Sequence, residues 1–151
     1  MFTRTFFAIT VLLFVTGCVK IEEPEFRGIR DFRVDKFGIS EVVVGLGMAY
    51  YNPNNFTVAV KETVVKVYVD SVYLGDFKQD TLIAVNKNAE FVIPLSGTVP
   101  LAALLKMRIK DIHKRDVLLQ ADGLTRIGKA GVFIEKAVRY RGRHRLDQVR
   151  F

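Results

Sequence analysis

The strongest constraint on the fold is a series of short segments in which residue character alternates with a period of two. The first is ISEVVVGLGMAYYNPNN, residues 39–55. Its large apolar side chains fall on one face: Val42, Val44, Leu46, Met48 and Tyr50. The other face carries small residues, among them Gly45 and Gly47, which predicts a strand with a neighbour packed closely over that side. Asn52-Pro53-Asn54 then predicts a turn, because Asn tolerates the left-handed region and Pro fixes φ.

The next segments continue the strand pattern. FTVAVKETVVKVYVD, residues 56–70, changes phase near Glu62–Thr63, which predicts a bulge or bend there. Asp70-Ser71 predicts a turn, after which VYLGDF returns as a short partner strand. AEFVIPLSGTV alternates well, and its out-of-phase Pro94 predicts an edge strand or a bend.

One segment has helical spacing. In PLAALLKMRIKDIH, residues 100–113, the apolar positions are Leu101, Leu104, Leu105, Ile109 and Ile112. Pro100 suits the first turn of a helix. The segments DVLLQADG and GVFIEKAVRYRGR that follow again predict strands. Several short strands separated by turns predict an all-β protein, an antiparallel β-sandwich with one α-helix at about residues 100–113.

The N-terminus has the organisation of a secretory signal. Arg4 precedes the apolar run Phe6–Val15, and small residues follow up to Gly17. The run is about ten residues long, too short to span a bilayer comfortably. Val15-Thr16-Gly17-Cys18 resembles the lipobox of bacterial lipoproteins, with Val15 in place of the usual Leu.

The lipobox resemblance implies cleavage before Cys18, the only cysteine, and acylation of its sulfur and new amino group. Residues 1–17 are then a signal peptide, 18–27 are the lipidated Cys and a tether, and 28–151 are one domain. Two or more acyl chains anchor a protein stably, whereas one does not. We expect a protein of the cell envelope. Val19 after Cys18 favours the outer over the inner membrane, by analogy with lipoprotein sorting in some bacteria.

Charge is distributed unevenly along the chain. The whole chain is +7, and loss of Arg4 with the signal leaves +6. Residues 18–100 have nine Lys/Arg against eleven Asp/Glu, or −2, whereas residues 101–151 have thirteen against five, or +8. A basic surface favours anionic partners such as lipid headgroups or polysaccharide phosphates. The alternative is that the charge serves only solubility.

The most specific basic feature is RYRGRHRL near the C-terminus. Its arginines recur with a period of two: Arg139, Arg141, Arg143 and Arg145. If the strand continues through them, they line one face and suit phosphates, which Arg binds bidentately. If the segment frays, they only block edge pairing. Nucleic acid is not expected as a partner, because only Tyr140 is interleaved and the chain is exported.

No motif predicts catalysis or a cofactor. Residues 123–130, GLTRIGKA, nearly match a P-loop, but Ala130 replaces the magnesium-binding hydroxyl and a strand pattern follows. His113 and His144 lack the spacing of a metal site. No serine has a nucleophile signature, and the glutamates of the tether lack a shielded pocket. We therefore expect a protein that is not an enzyme and that holds no cofactor or metal.

Residues 37–77, from FGISEVVVGLG to DSVYLGDF, with the Asn52-Pro53-Asn54 turn and the later FVIPLSGTV, resemble the LEA type 2 family, also called the WHy (water stress and hypersensitive response) domain. The resemblance covers roughly Ile29 to Val138. It departs from the family pattern at the hairpin turn, where Ser71 stands in place of Gly. It implies an immunoglobulin- or fibronectin-III-like sandwich with one helix and no catalytic residues.

Members of that family are associated with desiccation and other stress, and bacterial members are often predicted lipoproteins. The resulting hypothesis is a monomeric, non-enzymatic, lipid-anchored envelope protein that binds or protects envelope components under stress. Its expected partners are the membrane through Cys18, and anionic lipid, polysaccharide or an envelope protein through the arginine row. The alternative is an interaction subunit or carrier in an envelope assembly, which would bind by adding a strand at an exposed edge.

Overall fold

The computed structural model describes residues 21–107, 112 and 114–145. In chain order its elements are β1 (Glu25–Phe37), β2 (Glu41–Tyr51), β3 (Val58–Val69), β4 (Val72–Lys78), β5 (Ile83–Val85), β6 (Glu90–Pro100), α1 (Leu101–Lys106), β7 (Asp116–Lys129) and β8 (Val132–Arg145). All strand pairs are antiparallel. The predicted class, antiparallel β with one short helix, is therefore confirmed for the described part of the chain.

The strands form one curled sheet with the shape of a half-barrel. Their order is β1-β2-β6-β4-β3-β7-β8, and β5 pairs with β3. The predicted immunoglobulin- or fibronectin-III-like sandwich is not confirmed, because a sandwich consists of two sheets packed face to face. Here β4 joins β6 through the pairs Phe77↔Gly97 and Lys78↔Ser96, so the hydrogen-bonded sheet is continuous.

Strand β2 has the two faces that its alternation predicts. Its large apolar side chains are at most 3% exposed from Val42 to Met48 and belong to the core. Its small face is closely covered, as predicted: a Cβ atom on Gly45 would lie 2.7 Å from a carboxylate oxygen of Asp35, and one on Gly47 would lie 2.8 Å from Val92 Cγ1. Eleven consecutive residue pairs join β2 to β6 without a register shift.

Strand β1 was not predicted, because its alternation is interrupted. Its pairing with β2 changes register three times, and Gly28 and Asp31 have φ angles of 141° and 54°. The first shift moves the inward position to the other phase and the second moves it back, so Ile29 is out of phase with Phe26, Phe32 and Val34. The strand begins at Glu25, inside the segment that was interpreted as a tether.

Strand β3 contains the predicted bulge. Its pairing with β7 shifts between Lys61 and Val64, and Glu62 has a φ of 55°. The bulge turns the Thr63 side chain inward, where it is 1% exposed. Its hydroxyl donates to Gln79 Oε1 over 2.7 Å and also lies 2.8 Å from the hydroxyl of Thr125. Polar groups buried at the bulge are therefore paired with each other.

The predicted turn at Asp70-Ser71 connects β3 and β4. Both residues have positive φ, 47° and 68°, as a two-residue type I′ hairpin requires. The departure from the family pattern at Ser71 therefore leaves the turn in place. Burial by itself raises the pKa of Asp70, but the Leu118 backbone N–H and the Arg115 guanidinium both donate to this carboxylate and lower its pKa below the ordinary value.

Strand β6 contains Pro94, for which the sequence predicted an edge strand or a bend. It lies inside the sheet, so the prediction of an edge strand is wrong. Its pairing with β4 involves only Ser96 and Gly97, however, so Pro94 faces no strand on that side. A residue without an N–H group is tolerated where a ladder is missing.

The helix begins where the sequence predicts and is shorter than predicted in the described residues. Pro100 is its N-cap with φ −60°, and the helix ends at Lys106. None of its own residues is buried; Leu101 is 38% and Leu105 is 75% exposed. Met107 and Ile112 join the core instead. Residues 108–111 and 113, which include Ile109 and His113, lie outside the described residues.

Candidate functional site

The Asn52-Pro53-Asn54 turn is a buried hydrogen-bonding centre. Asn52 is 0% exposed, and its Nδ2 donates to the carbonyl oxygens of Phe56 at 3.1 Å and Asn86 at 3.0 Å. Its Oδ1 accepts from the backbone N–H and from Nδ2 of Asn54, at 3.0 and 2.8 Å. Burial of these amides is stable because their polar atoms are satisfied.

Asn54 uses its remaining groups to hold the N-terminal segment. The Glu22 N–H donates to Asn54 Oδ1 over 2.8 Å, and Asn54 Nδ2 donates to the Glu22 carbonyl over 2.9 Å. The segment Ile21–Pro24 is thus attached to the domain rather than solvated as a free spacer. Cys18, the predicted lipid site, and the predicted signal peptide, residues 1–17, lie outside the described residues.

The two end strands of the curled sheet meet through side chains. β1 and β8 are at opposite ends of the strand order, yet the rings of Phe26 and Tyr140 lie 4.2 Å apart between centroids. Lys136 Nζ lies 3.4 Å from Glu23 Oε1 across the same seam. No described pair of residues joins β1 and β8 by a strand ladder, so this seam is closed by side-chain contacts.

A cavity of about 190 Å³ lies inside the seam. Its walls are mainly apolar and come from six strands: Phe26, Tyr50, Val60, Phe91, Ile93, Ile127 and Val138. Tyr50 stacks on Phe91 at 5.8 Å and meets Phe26 edge-on at 5.4 Å, which makes one side of the cavity aromatic. Ile21 to Pro24 cover it, and Lys136 and Arg139 also line it.

The polar groups around this cavity have shifted pKa values. Burial, together with neighbouring Tyr140, raises the pKa of Tyr50 to about 12, so its hydroxyl stays protonated. That hydroxyl forms no hydrogen bond with any residue that the structure describes. Burial also raises the pKa of Tyr140 and lowers the pKa of His144, whose Nε2 is hydrogen-bonded to the Tyr140 hydroxyl. The Tyr50 hydroxyl is therefore a neutral donor available to a ligand.

The outer face of β8 carries the arginine row. β8 extends to Arg145, so the strand does not fray before the end of the row, and all four guanidinium groups are exposed. The guanidinium groups of Arg139, Arg141 and Arg143 form no ion pair or hydrogen bond with another described residue. Arg145 Nε lies 3.3 Å from Asp116 Oδ1.

The partners across β7 concentrate the charge in the middle of the row. Arg139 and Arg145 pair in register with the acidic residues Asp122 and Asp116. Arg141 and Arg143 instead lie opposite Gln120 and Leu118. The charge of Arg143 also reaches Asp70, whose pKa it helps to lower. The positive charge of the row is therefore least compensated at Arg141.

The other candidate motifs do not form sites. Residues 123–129 of the near P-loop belong to β7, and the turn that follows, at Ala130-Gly131, leads into β8 rather than into the helix that phosphate binding requires. His144 lies in β8, far along the chain from His113. In the described ranges, no group of three or more His, Cys, Asp or Glu is placed to hold a metal ion. No described helix has the length and apolar character needed to cross a membrane.

The sequence did not predict the cavity. Its lining comes from positions as distant as Ile21 and Tyr140, and no local pattern marks their meeting. The sequence contains only a weak signal for the cavity. Tyr50 and Phe91 occupy inward-facing positions of their strands, where a smaller aliphatic residue would be enough to fill a core. Aromatic residues at the strand ends were the one indication of a wider space to fill.

Comparisons with known proteins support the fold alone. No family model matches the chain, and no curated protein matches its sequence. A protein from Archaeoglobus fulgidus of known crystal structure superposes with a TM-score of 0.52 at 8% identity, over 80% of this chain and 97% of the other. The solution structure of AT1g01470 from Arabidopsis thaliana superposes with a TM-score of 0.54 at 16% identity, over 91% of each chain. The chain therefore shares its whole-domain fold with an archaeal and a plant protein.

Proposed function

We propose that this chain is a non-enzymatic, lipid-anchored protein of the bacterial envelope that binds anionic envelope components through the outer face of β8. The observation that carries the proposal is the row of exposed arginines, of which Arg139, Arg141 and Arg143 form no ion pair with a described residue. Arg binds phosphate and carboxylate groups through paired hydrogen bonds. Lipid headgroups and polysaccharide phosphates have that chemistry.

Membership of the LEA type 2 family is part of the proposal. Support comes from the position of the Asn52-Pro53-Asn54 turn at the centre of a hydrogen-bond network and from the hairpin at Asp70-Ser71. The proposal includes an immunoglobulin- or fibronectin-III-like sandwich as the finer description of the fold. Its layers would be β1-β2-β6 and β4-β3-β7-β8, which are joined only by two residue pairs between β4 and β6.

The proposed anchor at Cys18 would orient the domain relative to the membrane. Cys18 stands four positions before Glu22, which Asn54 holds. Four residues span at most about 14 Å. A bilayer anchor at Cys18, in the outer rather than the inner membrane, would therefore keep the Asn52–Asn54 end of the domain next to the lipid surface. A role under water stress fits a protein that stays at that surface.

A second function, a carrier or interaction subunit in an envelope assembly, is favoured by the cavity and by the free edge of β8. Among the described strands β8 pairs with β7 alone, so no described strand pairs with its other edge. An extended peptide can add to such an edge. The carrier or subunit hypothesis predicts a stable complex that is recovered from membranes, whereas the anion-binding hypothesis predicts binding to simple anions.

The anion contact is tested with the full chain in neutral detergent and soluble inorganic polyphosphate as the probe. We expect binding at about 50 mM salt that weakens strongly at about 500 mM, because exposed charges are screened. Arg141→Gln/Arg143→Gln removes the two arginines of the row that have no acidic ladder neighbour on β7, and it is expected to abolish most of the binding. The matched control, Arg27→Gln/Arg30→Gln, removes two arginines of β1 that are already in ion pairs. Equal loss in both variants would contradict a site on β8.

The anchor has its own test. The intact mass of protein isolated from membranes should show loss of residues 1–17 and addition of acyl chains, and Cys18→Ala should show neither. An unmodified Cys18 would remove the envelope location from the proposal.

A further inference from the structure

The cavity in the β1–β8 seam has the size and lining of a ligand site. Its volume of about 190 Å³ exceeds the roughly 150 Å³ of an engineered apolar cavity that holds a benzene molecule. By the same comparison it accommodates on the order of six to eight carbon atoms. Its apolar walls, from Tyr50, Phe91, Ile93 and Ile127, suit a hydrocarbon segment rather than a charged group.

Charged and polar residues also contact the cavity. Lys136 and Arg139 line the cavity, and in this structure the Glu23 carboxylate lies 3.4 Å from Lys136 Nζ. A carboxylate that belongs to the protein thus occupies the position where the anionic end of a ligand would meet the lysine. The Tyr50 hydroxyl adds a donor that no described residue uses.

The segment that covers the cavity is held by few contacts. Two hydrogen bonds from Asn54 fix Glu22, and one exposed ion pair links Glu23, whose side chain is 79% exposed, to Lys136. Exposed ion pairs contribute about 0–1 kcal/mol each. An incoming anion can therefore replace Glu23 on Lys136 without disturbing the sheet.

From these contacts we infer that the cavity binds one hydrocarbon chain of an anionic amphiphile. The chain lies among Phe26, Tyr50, Phe91 and Ile127, and its carboxylate or phosphate replaces Glu23 beside Lys136. The part of a longer chain that the cavity does not hold leaves through the seam between β1 and β8. This site faces the inside of the curled sheet, so it is separate from the contact proposed for Arg141 and Arg143 on the outer face.

The test is equilibrium dialysis of radiolabelled decanoate against the full chain in phosphatidylcholine vesicles, with protein-free vesicles as the blank. Val138→Phe fills the cavity from β8 and is expected to weaken binding by at least about tenfold. Its matched control is Val132→Phe, on the same strand and in the same phase but 72% exposed and outside the cavity. Equal affinity of the wild type and Val138→Phe overturns the inference.

The headgroup contact is tested separately. Lys136→Gln should weaken decanoate about tenfold, the usual effect of losing a charged hydrogen bond, and should leave the binding of decanol unchanged. Lys87→Gln, an exposed lysine outside the cavity, is the control. If decanoate and decanol bind equally to the wild type and to Lys136→Gln, the anionic assignment is overturned.

Two further variants keep the outcome clear. Thermal melting shows whether Val138→Phe folds. If it does not, Tyr50→Phe replaces it, because this substitution removes only the free hydroxyl and is expected to weaken decanoate binding several-fold. Unchanged decanoate binding by Tyr50→Phe would then overturn the inference. Arg141→Gln/Arg143→Gln should retain full decanoate binding. Loss of polyphosphate binding in that variant with decanoate binding intact shows that the two sites are independent, whereas loss of both overturns the cavity as the decanoate site.

Discussion

Strands β2 and β8 have the same alternation and opposite surroundings. β2 lies between β1 and β6, and its inward residues from Val42 to Met48 are buried together with the small residues of its outer face. β8 is at the end of the described sheet, where β7 is its one partner strand, and β8 has no buried residue. Its inward side chains are half-exposed around the cavity, and its outward ones are the arginines.

This difference in surroundings predicts which strand contributes mainly to stability and which to ligand binding. Where both faces and both edges of a strand are covered, each side chain contributes to the core and little remains to contact a ligand. Where one edge and one face stay open, the same period of two presents a charged row to solvent and an apolar row to a cavity. We therefore expect β2 substitutions to affect stability and β8 substitutions to affect binding.

The largest expected effect is in β2. Leu46→Ala removes a side chain that is 3% exposed and leaves a cavity, so it should reduce the free energy of unfolding by about 2–5 kcal/mol. Val132→Ala in β8, at a position that is 72% exposed, should change it by less than about 0.5 kcal/mol. Urea unfolding of both variants measures the difference. Similar losses at the two positions would mean that β8 is as much part of the core as β2.

A smaller effect is expected on the inner face of β8 at Tyr140. Tyr140→Ala loses the ring contact with Phe26 at 4.2 Å across the seam. Because the side chain is only half-buried, the expected loss is about 1–3 kcal/mol, below that of a fully buried aromatic residue. Tyr140→Phe keeps the ring and should retain most of that stability by urea unfolding. If Tyr140→Phe loses as much as Tyr140→Ala, the hydroxyl with its hydrogen bond to His144, rather than the ring contact across the seam, accounts for the stability.

In the turn before β8, a substitution is expected to increase the free energy of unfolding. Ala130 has a φ of 50° and Gly131 a φ of 83°, so both occupy the left-handed positions of a two-residue hairpin. Asn-Gly is the preferred pair for such a turn. Ala130→Asn should therefore raise the free energy of unfolding by up to about 1 kcal/mol. The thermal midpoint of the variant measures this, and an unchanged or lower midpoint would indicate that the Ala130 conformation carries no strain.

The smallest effect depends on pH through His144. Burial lowers its pKa, so the folded protein binds this proton more weakly than the unfolded chain, whose His pKa is about 6.5. The corresponding stability is fully present above pH 6.5 and is lost as pH falls below it. Relative to the wild type, His144→Gln should show a shallower decline in urea midpoint between about pH 7 and pH 5. Parallel declines in the two proteins would assign that pH range to other groups.

The regular strands could be predicted from the sequence because their signals are local. The alternation in β2, the phase change at Glu62–Thr63 and the turn at Asp70-Ser71 each follow from neighbouring residues, and each lies where it was predicted. β1 was missed for the same reason, since its register shifts at Gly28, Asp31 and Asp35 disrupt the local period.

The single curled sheet and its cavity depend on contacts that local patterns do not encode. Whether strands form one sheet or two was decided by the short β4–β6 ladder at Phe77 and Lys78. The cavity required Phe26 and Tyr140, 114 positions apart, to meet across the open side of the sheet.

By itself, the sequence determined the regular strands and turns, the basic charge of residues 101–151, and the spacing that aligns Arg139 to Arg145 on one face. The physical reason is that side-chain direction in a strand follows from position alone. Only the tertiary structure decided that Asp116 and Asp122 lie opposite the ends of that row, that Arg143 acts on Asp70, and that Arg141 is the least compensated member. It also decided that the N-terminal segment closes a cavity, because burial and electrostatic interactions depend on distances in space between residues that are remote in the chain.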